Sequence, residues 1–390
     1  MAAPDPNQPL ALLGGLTPAE FLRDYWQQRP LLVRDAIAGF ENPIEPDDLA
    51  GLATDPDAAS RIVSGHVDRQ DWDVEYGPFE AERLGQLPQR DWTLLVTDVE
   101  RFWPGGPDFL AHFDFIPRWR RDDLMISYAP PGGSVGPHVD QYDVFLFQAA
   151  GRRRWQIQDP PGSLDCHDDL PLAILRAFDP TETWELGPGD LLYLPPNLPH
   201  YGLSLDDQCM TWSVGFRAPT ILDVLTGFLE ERANVIGDQA RFEDPGRHPS
   251  AHAAELPAAD REALREALRA LLAAEDHDLD AYLGRFLTRP AGNVELAPGD
   301  PGLAATAGPA DRFAIHPGVR RAWFQGPDGP ILCIAGNDYP AQAVAADVLE
   351  AFCSAETLSI AEWEEAIPMI RQILEDGLEA GWLAPDDPGE

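Results

Sequence analysis

Residues 131–148 read PGGSVGPHVDQYDVFLFQ. A turn rich in Gly and Pro leads into His138 and Asp140, and the apolar run after them predicts a β-strand. Side chains at positions i and i+2 of a strand point to the same face, so His138 and Asp140 can bind one metal ion together. Since a lone His-x-Asp pair often occurs by chance, its meaning depends on what the rest of the chain adds.

A second motif supplies a third candidate ligand. Residues 187–202 read GPGDLLYLPPNLPHYG, in which a turn, a short apolar strand and a rigid proline-rich segment lead to His200. Two imidazoles and one carboxylate are the ligand set of mononuclear non-haem Fe(II) sites, which keep coordination positions open. Structural zinc normally takes four protein ligands, which argues against zinc. Ordinary structural roles for His138 and His200 are the alternative, and the sequence context of both residues weighs against it.

The region around these motifs predicts a β scaffold. From about residue 121 to residue 217, short apolar runs alternate with Gly and Pro turns. This spacing is typical of an antiparallel barrel or jelly roll. The aromatic side chains between residues 102 and 119 are expected to pack in its core. The candidate strands are Leu124–Tyr128, Asp143–Gln148, Arg152–Ile157, Leu191–Leu194 and Cys209–Phe216.

Three consecutive arginines indicate a co-substrate. An iron site of this kind needs a reductant for O2, and the commonest, 2-oxoglutarate, needs a cation for its distal carboxylate. The triplet Arg152–Arg154 lies 12 to 14 residues after Asp140 in a candidate strand. In that strand Arg153 shares a face with Trp155 and Ile157, and this apolar face is expected to point into the barrel. The planar guanidinium of Arg153 can then hold a carboxylate through two hydrogen bonds.

The pattern becomes helical after Pro219. Apolar residues recur at helical spacing in three segments up to residue 290 and give this block a wide apolar face. Such a face either covers the barrel or forms a subunit interface. Residues 291–310 are interpreted as a linker and 311–385 as a small α+β unit. We therefore predict a catalytic domain at 1–217, a helical region at 218–300 and a C-terminal domain at 301–390.

The chain is strongly acidic. Its 66 Asp and Glu residues outnumber 28 Lys and Arg, for a formal net charge of -38. Such a surface repels nucleic acid and anionic membranes and attracts a basic protein, although acidity also simply favours solubility. No direct nucleic acid binding and no membrane association are expected. The sequence shows no signal-peptide pattern, no membrane-length apolar run and no CxxC pair, so a cytoplasmic location is expected.

Three stretches carry a family resemblance. Residues 131–158, 187–202 and 212–220 together resemble the bacterial JmjC-type ribosomal oxygenases, close to those that hydroxylate C3 of an arginine in large-subunit ribosomal protein sixteen. The resemblance covers most of the chain. It implies an α+β chain with a double-stranded β-helix barrel (jelly roll or cupin, JmjC), a helical dimerisation region and a C-terminal winged-helix-like domain. It also implies Fe(II), 2-oxoglutarate and O2, a basic ribosomal protein substrate and a homodimer.

The resemblance also implies roles for single residues. Arg153 is expected to bind the 2-oxoglutarate carboxylate, with Ser127 on the preceding strand as a second contact. Asn197 stands where the family usually has Gly, and Asn tolerates the positive φ that this turn requires. Apart from the resemblance, Tyr142, Asp143 and the aromatic residues upstream of them are expected to line the acidic substrate cleft. The iron ligands that the resemblance implies are His138, Asp140 and His200.

The family reaction converts 2-oxoglutarate and O2 into succinate and CO2 while the β-carbon of an arginine is hydroxylated. One alternative is the same chemistry on a histidine or a methyl-lysine of another basic protein. Another is a non-catalytic cupin-like module that binds a basic partner. A metal-dependent sugar isomerase on the same fold is disfavoured by Arg153 and by the winged-helix-like tail.

Overall fold

A computed structural model describes residues 4–386, apart from positions 70, 237–240, 242–253, 255, 291–293 and 295. Contacts between residues divide the chain into two compact units, Met1–Ala218 and Pro219–Glu390. The boundary coincides with the change from strand-like to helical sequence. The finer division into three parts stays a prediction.

The first unit is built on antiparallel strands with short helices between them. Strand bounds follow the alternation of buried and exposed side chains, as in β7, where Arg153, Trp155 and Ile157 are the buried residues. The strand begins at Arg153, one residue later than predicted. The strands are β1 (Leu31–Val33), β2 (Ser60–Ser64), β3 (Asp73–Tyr76), β4 (Trp92–Val96), β5 (Leu124–Ala129), β6 (Asp143–Ala150), β7 (Arg153–Ile157), β8 (Glu182–Leu186), β9 (Leu191–Leu194), β10 (His200–Ser204) and β11 (Cys209–Phe216), and the helices are α1 (Pro18–Asp24), α2 (Pro46–Leu52), α3 (Ala81–Gly85) and α4 (Gly106–Ala111).

These strands form two sheets. The larger sheet has the order β1-β9-β6-β11-β5-β4-β2-β3, and the smaller has the order β10-β7-β8. From β6 to β11 the chain passes repeatedly between the two sheets, with β6, β9 and β11 in the larger sheet and β7, β8 and β10 in the smaller. This is the winding of a jelly roll. The cupin-type barrel expected from the sequence is therefore confirmed.

Each face of the large sheet belongs to a different apolar cluster. Along β6, Phe145 and Phe147 join one cluster, while Val144 and Leu146 join the other. This follows from the alternation of side chains across a strand. Trp155 of the small sheet belongs to the same cluster as Val144 and Leu146. That cluster therefore fills the space between the sheets, which is the barrel interior.

The aromatic residues before the metal motif pack mostly as expected. Phe109 and Phe113 are buried in the outer cluster, and Phe102, Trp103 and Phe115 pack against it. Trp119 is the exception. It is not among the residues of that cluster, and the Arg120 guanidinium lies over its ring at 5.5 Å.

The second unit combines helices with two small antiparallel sheets. The linker expected at 291–310 is partly wrong, because Gly302–Thr306 form a helix whose Ala304 is buried against the core of this unit. None of the described helices has the combination of length and apolar character needed to cross a membrane. The helices are α5 (Ile221–Ile236), α6 (Ala258–Leu272), α7 (Asp276–Thr288), α8 (Gly302–Thr306), α9 (Ala346–Ser354), α10 (Ile360–Trp363) and α11 (Ile370–Ala380), and the strands are β12 (Arg312–Ile315), β13 (Arg321–Gly326), β14 (Gly329–Ile334), β15 (Asn337–Pro340), β16 (Thr357–Ser359) and β17 (Leu383–Pro385).

Candidate metal and co-substrate site

The three candidate ligands converge at one end of the barrel. One ligand atom from each of His138, Asp140 and His200 lies within 4.8 Å of the other two. The backbones of the two histidines exchange hydrogen bonds, from His138 N to His200 O at 3.0 Å and from His200 N to His138 O at 2.9 Å. A bridge between the loop before β6 and the start of β10 thus joins residues that are far apart in sequence. The spacing of the two imidazoles is set by the backbone alone.

Each imidazole is oriented by a backbone carbonyl. Nδ1 of His138 lies 2.9 Å from the Gly136 carbonyl oxygen, and Nδ1 of His200 lies 2.9 Å from that of Leu198. A proton on Nδ1 satisfies each carbonyl and leaves Nε2 as the free lone pair, which is how proteins usually prepare a histidine for a metal. The Nε2 atoms lie 4.0 Å and 3.5 Å from Asp140 Oδ2. This donor set fits Fe(II).

The charge state of His200 also suits a ligand. Burial of the ring, with the neighbouring imidazole of His138, lowers the pKa of His200 from its ordinary value to about 4. A neutral imidazole at physiological pH can bind a metal without first losing a proton.

The turn before His200 needs an unusual backbone conformation. Asn197 has φ 61°, in the left-handed region, as expected from its place in the motif. Its backbone N–H donates to the carbonyl oxygen of Asp140 at 2.7 Å, which ties the proline-rich segment to the ligand loop. Asn therefore serves in a position where Gly is common, because it tolerates positive φ better than most residues.

Arg153 points into the barrel, as strand alternation predicts. Its side chain is 3% exposed, and its Nε and Nη2 atoms are buried with no hydrogen-bond partner. Within the described part of the chain, no salt bridge joins it to a carboxylate. A buried cation with unused N–H groups is costly unless an anion satisfies it. A carboxylate held by the planar fork of the guanidinium is the chemistry that fits.

Ser127 lies on β5 inside the same barrel. The residue is 5% exposed, and its hydroxyl donates to the Thr211 carbonyl oxygen across a long 3.3 Å. The Thr211 hydroxyl in turn donates to the Gln148 side-chain oxygen at 3.1 Å. The weak bond leaves the Ser127 hydroxyl available for a stronger acceptor. Its assignment as a co-substrate contact stays a prediction.

The structure corrects one expectation about the substrate cleft. Asp143 is completely buried on the outer face of the large sheet, where it accepts hydrogen bonds from the Tyr193 hydroxyl at 2.6 Å and from Gln27 Nε2 at 2.9 Å. It cannot line a cleft at the metal. The adjacent Tyr142 does lie at the site, because side chains alternate along the chain. Burial and the Asp140 carboxylate raise the pKa of its phenol.

Asp123 is a site residue that sequence reasoning missed. A Cβ built on Gly215 would lie 3.4 Å from Asp123 Oδ1 and 3.7 Å from the Tyr142 ring, so the three residues meet at the entrance. Burial, with the charges of Asp122 and Asp98, raises the pKa of Asp123 to about 7. A carboxyl group at this position can accept hydrogen bonds from a cationic side chain, whose charge favours the ionised form of Asp123. The DD pair directly before β5 was the available signal.

Comparisons with known proteins agree with this geometry. Residues 108–224 match the JmjC domain family. The ribosomal protein uL16 3-hydroxylase of Escherichia coli K12 is 38% identical over 285 residues, which are 72% of this chain and 74% of that protein. A probable ribosomal oxygenase of Haemophilus influenzae is 38% identical over 221 residues, or 54% of this chain and 52% of that one.

Solved structures agree over nearly the whole length. The crystal structure of E. coli ycfD has a TM-score of 0.77 and 30% identity and covers 95% of this chain and 98% of its own. A structure of E. coli YcfD in complex with cobalt and 2-oxoglutarate has a TM-score of 0.75 and covers 95% and 99%.

Fold and site together define a 2-oxoglutarate-dependent oxygenase with a cupin barrel. More narrowly, the chain belongs to the JmjC-type ribosomal oxygenases, since a relative with that activity matches over most of its length.

Proposed function

We propose that this protein is an Fe(II)- and 2-oxoglutarate-dependent hydroxylase of an arginine side chain, at C3, in a large-subunit ribosomal protein. The observation that carries the proposal is the convergence of His138, Asp140 and His200 in the barrel that also buries Arg153, whose Nε and Nη2 atoms have no hydrogen-bond partner. A metal that is to bind both a keto acid and O2 needs open positions, and three protein ligands leave them. The E. coli relative named a uL16 3-hydroxylase supports the choice of substrate.

The residues of the chain have distinct tasks in this reaction. His138, Asp140 and His200 hold the metal, and Arg153 with Ser127 anchors the distal carboxylate of 2-oxoglutarate. When bound, Fe(II) and 2-oxoglutarate supply the oxidising chemistry that divides O2 between succinate and the hydroxylated carbon, with release of CO2. The apolar interior around Arg153 excludes water, so that the co-substrate carboxylate replaces lost solvation with two fixed hydrogen bonds.

A cationic substrate side chain fits the entrance. Tyr142, directly before β6, lies close to the proposed metal ligand Asp140 and to Asp123, directly before β5, and Gly215 leaves space between Tyr142 and Asp123. A guanidinium there can donate hydrogen bonds to the Asp123 carboxyl group. The Tyr142 ring already has the guanidinium of Arg217 at 5.1 Å from its centroid. Beyond the entrance, the net charge of -38 attracts a basic ribosomal protein at long range. The substrate is thus recognised both as a residue and as a whole protein.

The remaining expectations concern assembly and location. Several leucines on α5 and α6 are exposed, among them Leu222 at 69% and Leu268 at 60%, which supports a homodimer formed through the helical region at 218–300. We propose that the C-terminal domain at 301–390 is winged-helix-like and contacts protein rather than nucleic acid, because of the acidity of the chain. The proposed ribosomal substrate supports a reaction in the cytoplasm.

A second candidate keeps the chemistry and changes the target. A bifunctional lysine-specific demethylase and histidyl-hydroxylase of Drosophila pseudoobscura pseudoobscura is 34% identical over 213 residues, but these are only 21% of that protein. Its name supports histidine or methyl-lysine as the alternative residue. A non-catalytic module for a basic partner is the remaining alternative.

Turnover against undigested ribosomal proteins tests the proposal. Protein loaded with Fe(II) and given 2-oxoglutarate should add one oxygen atom to one basic ribosomal protein and release one succinate per oxygen added. Peptide mapping should place that oxygen on an arginine, whereas oxygen on histidine or loss of methyl from lysine would favour the second candidate. Asp140→Ala should abolish turnover. Succinate release without any modified protein would contradict the proposed substrate.

A further inference from the structure

Thr93 carries a buried hydroxyl that has no use in the fold. The residue is 0% exposed, and its Oγ1 has no hydrogen-bond partner among the described residues. All the other residues of β4 are apolar and buried, so the hydroxyl stands alone in an apolar strand. Burying a hydroxyl without a partner costs free energy that Val, of nearly the same shape, would not cost. Such a group points to a partner outside the chain.

Strand register puts Thr93 on the inner face of the large sheet. Leu95 lies directly opposite Ser127, and residues two apart on a strand share a face. Thr93 therefore faces the same side as Ser127, one strand further along the sheet. Side chains on such a diagonal lie about 7–8 Å apart, which leaves room for one carboxylate between two hydroxyls.

Strand β7, which carries Arg153, is connected through β10 to the end of β5 that lies next to Thr93. Arg153 lies opposite Ser204 on β10, and the Ser204 hydroxyl donates to the Ala129 carbonyl oxygen at 2.8 Å. Ala129 is the last residue of β5 and lies two positions beyond Ser127. The small sheet and the large sheet thus meet beside Thr93, and Arg153 points into the space between them.

Backbone closes this end of the barrel. A Cβ on Gly133 would come within 2.1 Å of the Trp92 carbonyl oxygen and 2.8 Å of the Ala129 Cβ. The loop after β5 therefore lies directly against the residue before Thr93. A ligand that reaches Thr93 must come from the metal end, which is the direction from which 2-oxoglutarate would extend.

We propose that the Thr93 hydroxyl is a third contact for the distal carboxylate of 2-oxoglutarate, beside Arg153 and Ser127; this inference rests on the proposed function. Arg153 brings charge and two unused N–H groups, and the two hydroxyls bring further donors from adjacent strands. A carboxylate has about four acceptor positions, so all of these donors can be used at once. A buried water that occupies the position is the competing explanation, and it makes Thr93 irrelevant to co-substrate affinity.

Replacement of Thr93 by Val and by Ser tests the inference through binding rather than turnover. Titration calorimetry of 2-oxoglutarate into Co(II)-loaded protein without O2 should give an affinity about 10-fold or more weaker for Thr93→Val, the usual loss for a hydrogen bond to a charged group. Thr93→Ser keeps the hydroxyl and should bind nearly as the wild type does. In steady-state assays the KM for 2-oxoglutarate should rise, while the KM for the protein substrate should not.

The matched control is Thr288→Val in the second unit. Thr288 is also 0% exposed, but its hydroxyl donates to the Gly284 carbonyl oxygen, so its loss should lower the melting temperature and leave 2-oxoglutarate affinity unchanged. Thr93→Val should melt no lower than wild type when no ligand is present, and Thr93→Ala offers a second variant if Val does not fold. Normal affinity in the folded variant overturns this inference alone. A wild-type protein that binds no 2-oxoglutarate overturns the proposed function as well.

Discussion

Arg153 holds a positive charge inside the barrel with the Trp155 ring 5.7 Å from its guanidinium, but no carboxylate of the described residues pairs with it. Its Nε and Nη2 atoms are buried and unpartnered, while its neighbour Arg154 is exposed and paired with Glu185 at 2.8 Å. The interior of the protein thus contains a cation with no paired anion, which lowers the stability of the protein when no ligand is bound. Binding sites are commonly destabilising in this way, because the N–H groups that have no partner in the free protein are available to bind a ligand.

Arg153→Met should abolish tight binding of 2-oxoglutarate. Loss of one partner of a buried ion pair typically costs about 2–5 kcal/mol, so the affinity should fall about 100-fold or more. The unliganded variant should be as stable as the wild type or more stable, since an unpaired buried charge has been removed. Arg154→Met is the control and should leave the affinity unchanged. Equal losses in both variants, measured by calorimetry, would show that general charge and not position matters.

Glu100 predicts a pH dependence of stability. Its carboxyl accepts a hydrogen bond from Leu124 N at 2.9 Å, and burial raises its pKa from 4.5 to about 8. The folded protein therefore holds this proton more tightly than the unfolded chain does. The contribution to stability is complete below the unfolded pKa and is lost as the pH rises through about 8. Asp123, with a pKa raised to about 7, adds to the same trend.

Glu100→Gln should flatten this profile. Gln imitates the protonated carboxyl and can keep the bond to Leu124, so the variant should lose less unfolding free energy than the wild type between about pH 6 and about pH 8.5, by about 2 kcal/mol. Urea denaturation at the two pH values measures this difference. If the unfolding free energy changes equally with pH in the two proteins, Glu100 is ionised in the folded state.

Strand alternation and turn preferences correctly predicted the residues whose placement depends only on their neighbours in the sequence. Alternation along β7 gave the inward direction of Arg153, and the turn chemistry gave the positive φ of Asn197. The same alternation allows only one of Tyr142 and Asp143 to face the cleft, and applying it to that pair would have avoided the error. The DD pair before β5 was a visible signal for Asp123, but its position beside Gly215 depends on the pairing of β5 with β11, which no short stretch encodes.

At the scale of elements, the pair β7 and β10 sets the geometry around His200, one of the proposed metal ligands. Gly202 on β10 lies opposite Trp155 on β7, and the Trp155 ring lies 5.9 Å from the His200 ring between centroids. A Cβ on Gly202 would come within 2.7 Å of two ring carbons of Trp155. Gly at this position therefore allows the indole to support the ligand imidazole.

Gly202→Ala should weaken metal binding. The added methyl group must push Trp155 away from its place, and His200 loses its support, so the affinity for Co(II) should fall on the order of 10-fold, as for other groups that orient a ligand. Gly187→Ala is a control, since a Cβ at that position would meet nothing within 4 Å. Titration of the cobalt absorption bands measures the affinity. An unchanged affinity in Gly202→Ala would show that Trp155 can move without disturbing His200.

The elements that sequence patterns missed are short or depend on distant partners. Strands β2, β3 and β4 extend the large sheet, yet they come from a segment rich in Pro and Asp with no clear period. Helix α8 was missed inside the expected linker, where its stability comes from packing on α11 rather than from its composition. Long apolar runs with clear turns, such as β9 and β11, were found at their full length.

At the scale of the whole molecule, the acidic charge and the exposed apolar surface serve different functions. The acidic excess is spread along the chain and favours encounter with a basic partner. Exposed leucines are concentrated on α5 and α6, where Leu264 and Leu268 are 48% and 60% exposed one helical turn apart. Solvent-exposed leucines in such a row usually mark an interface.

Leu264→Glu combined with Leu268→Glu should convert a dimer into a monomer. Two charges placed in an apolar interface would remain unpaired after burial, which a dimer cannot tolerate. Size-exclusion chromatography with light scattering measures the mass in solution. Glu266→Gln, on the same helix, should remain dimeric. A wild-type protein that is already monomeric at micromolar concentration would refute the role of this helix in assembly.

The paired backbone hydrogen bonds between His138 and His200 also bear on metal supply. Two imidazoles already fixed in place need little ordering when a divalent ion arrives, and two imidazoles with one carboxylate do not by themselves favour Fe2+ over other divalent ions. At equilibrium Ni2+ and Cu2+ outcompete Fe2+ for nitrogen and oxygen donors. During overexpression the site is therefore expected to bind divalent ions other than Fe2+. The specific activity of a preparation will therefore depend on which metal ions were available in the host cell. This dependence should disappear once the bound metal has been removed and replaced with Fe(II).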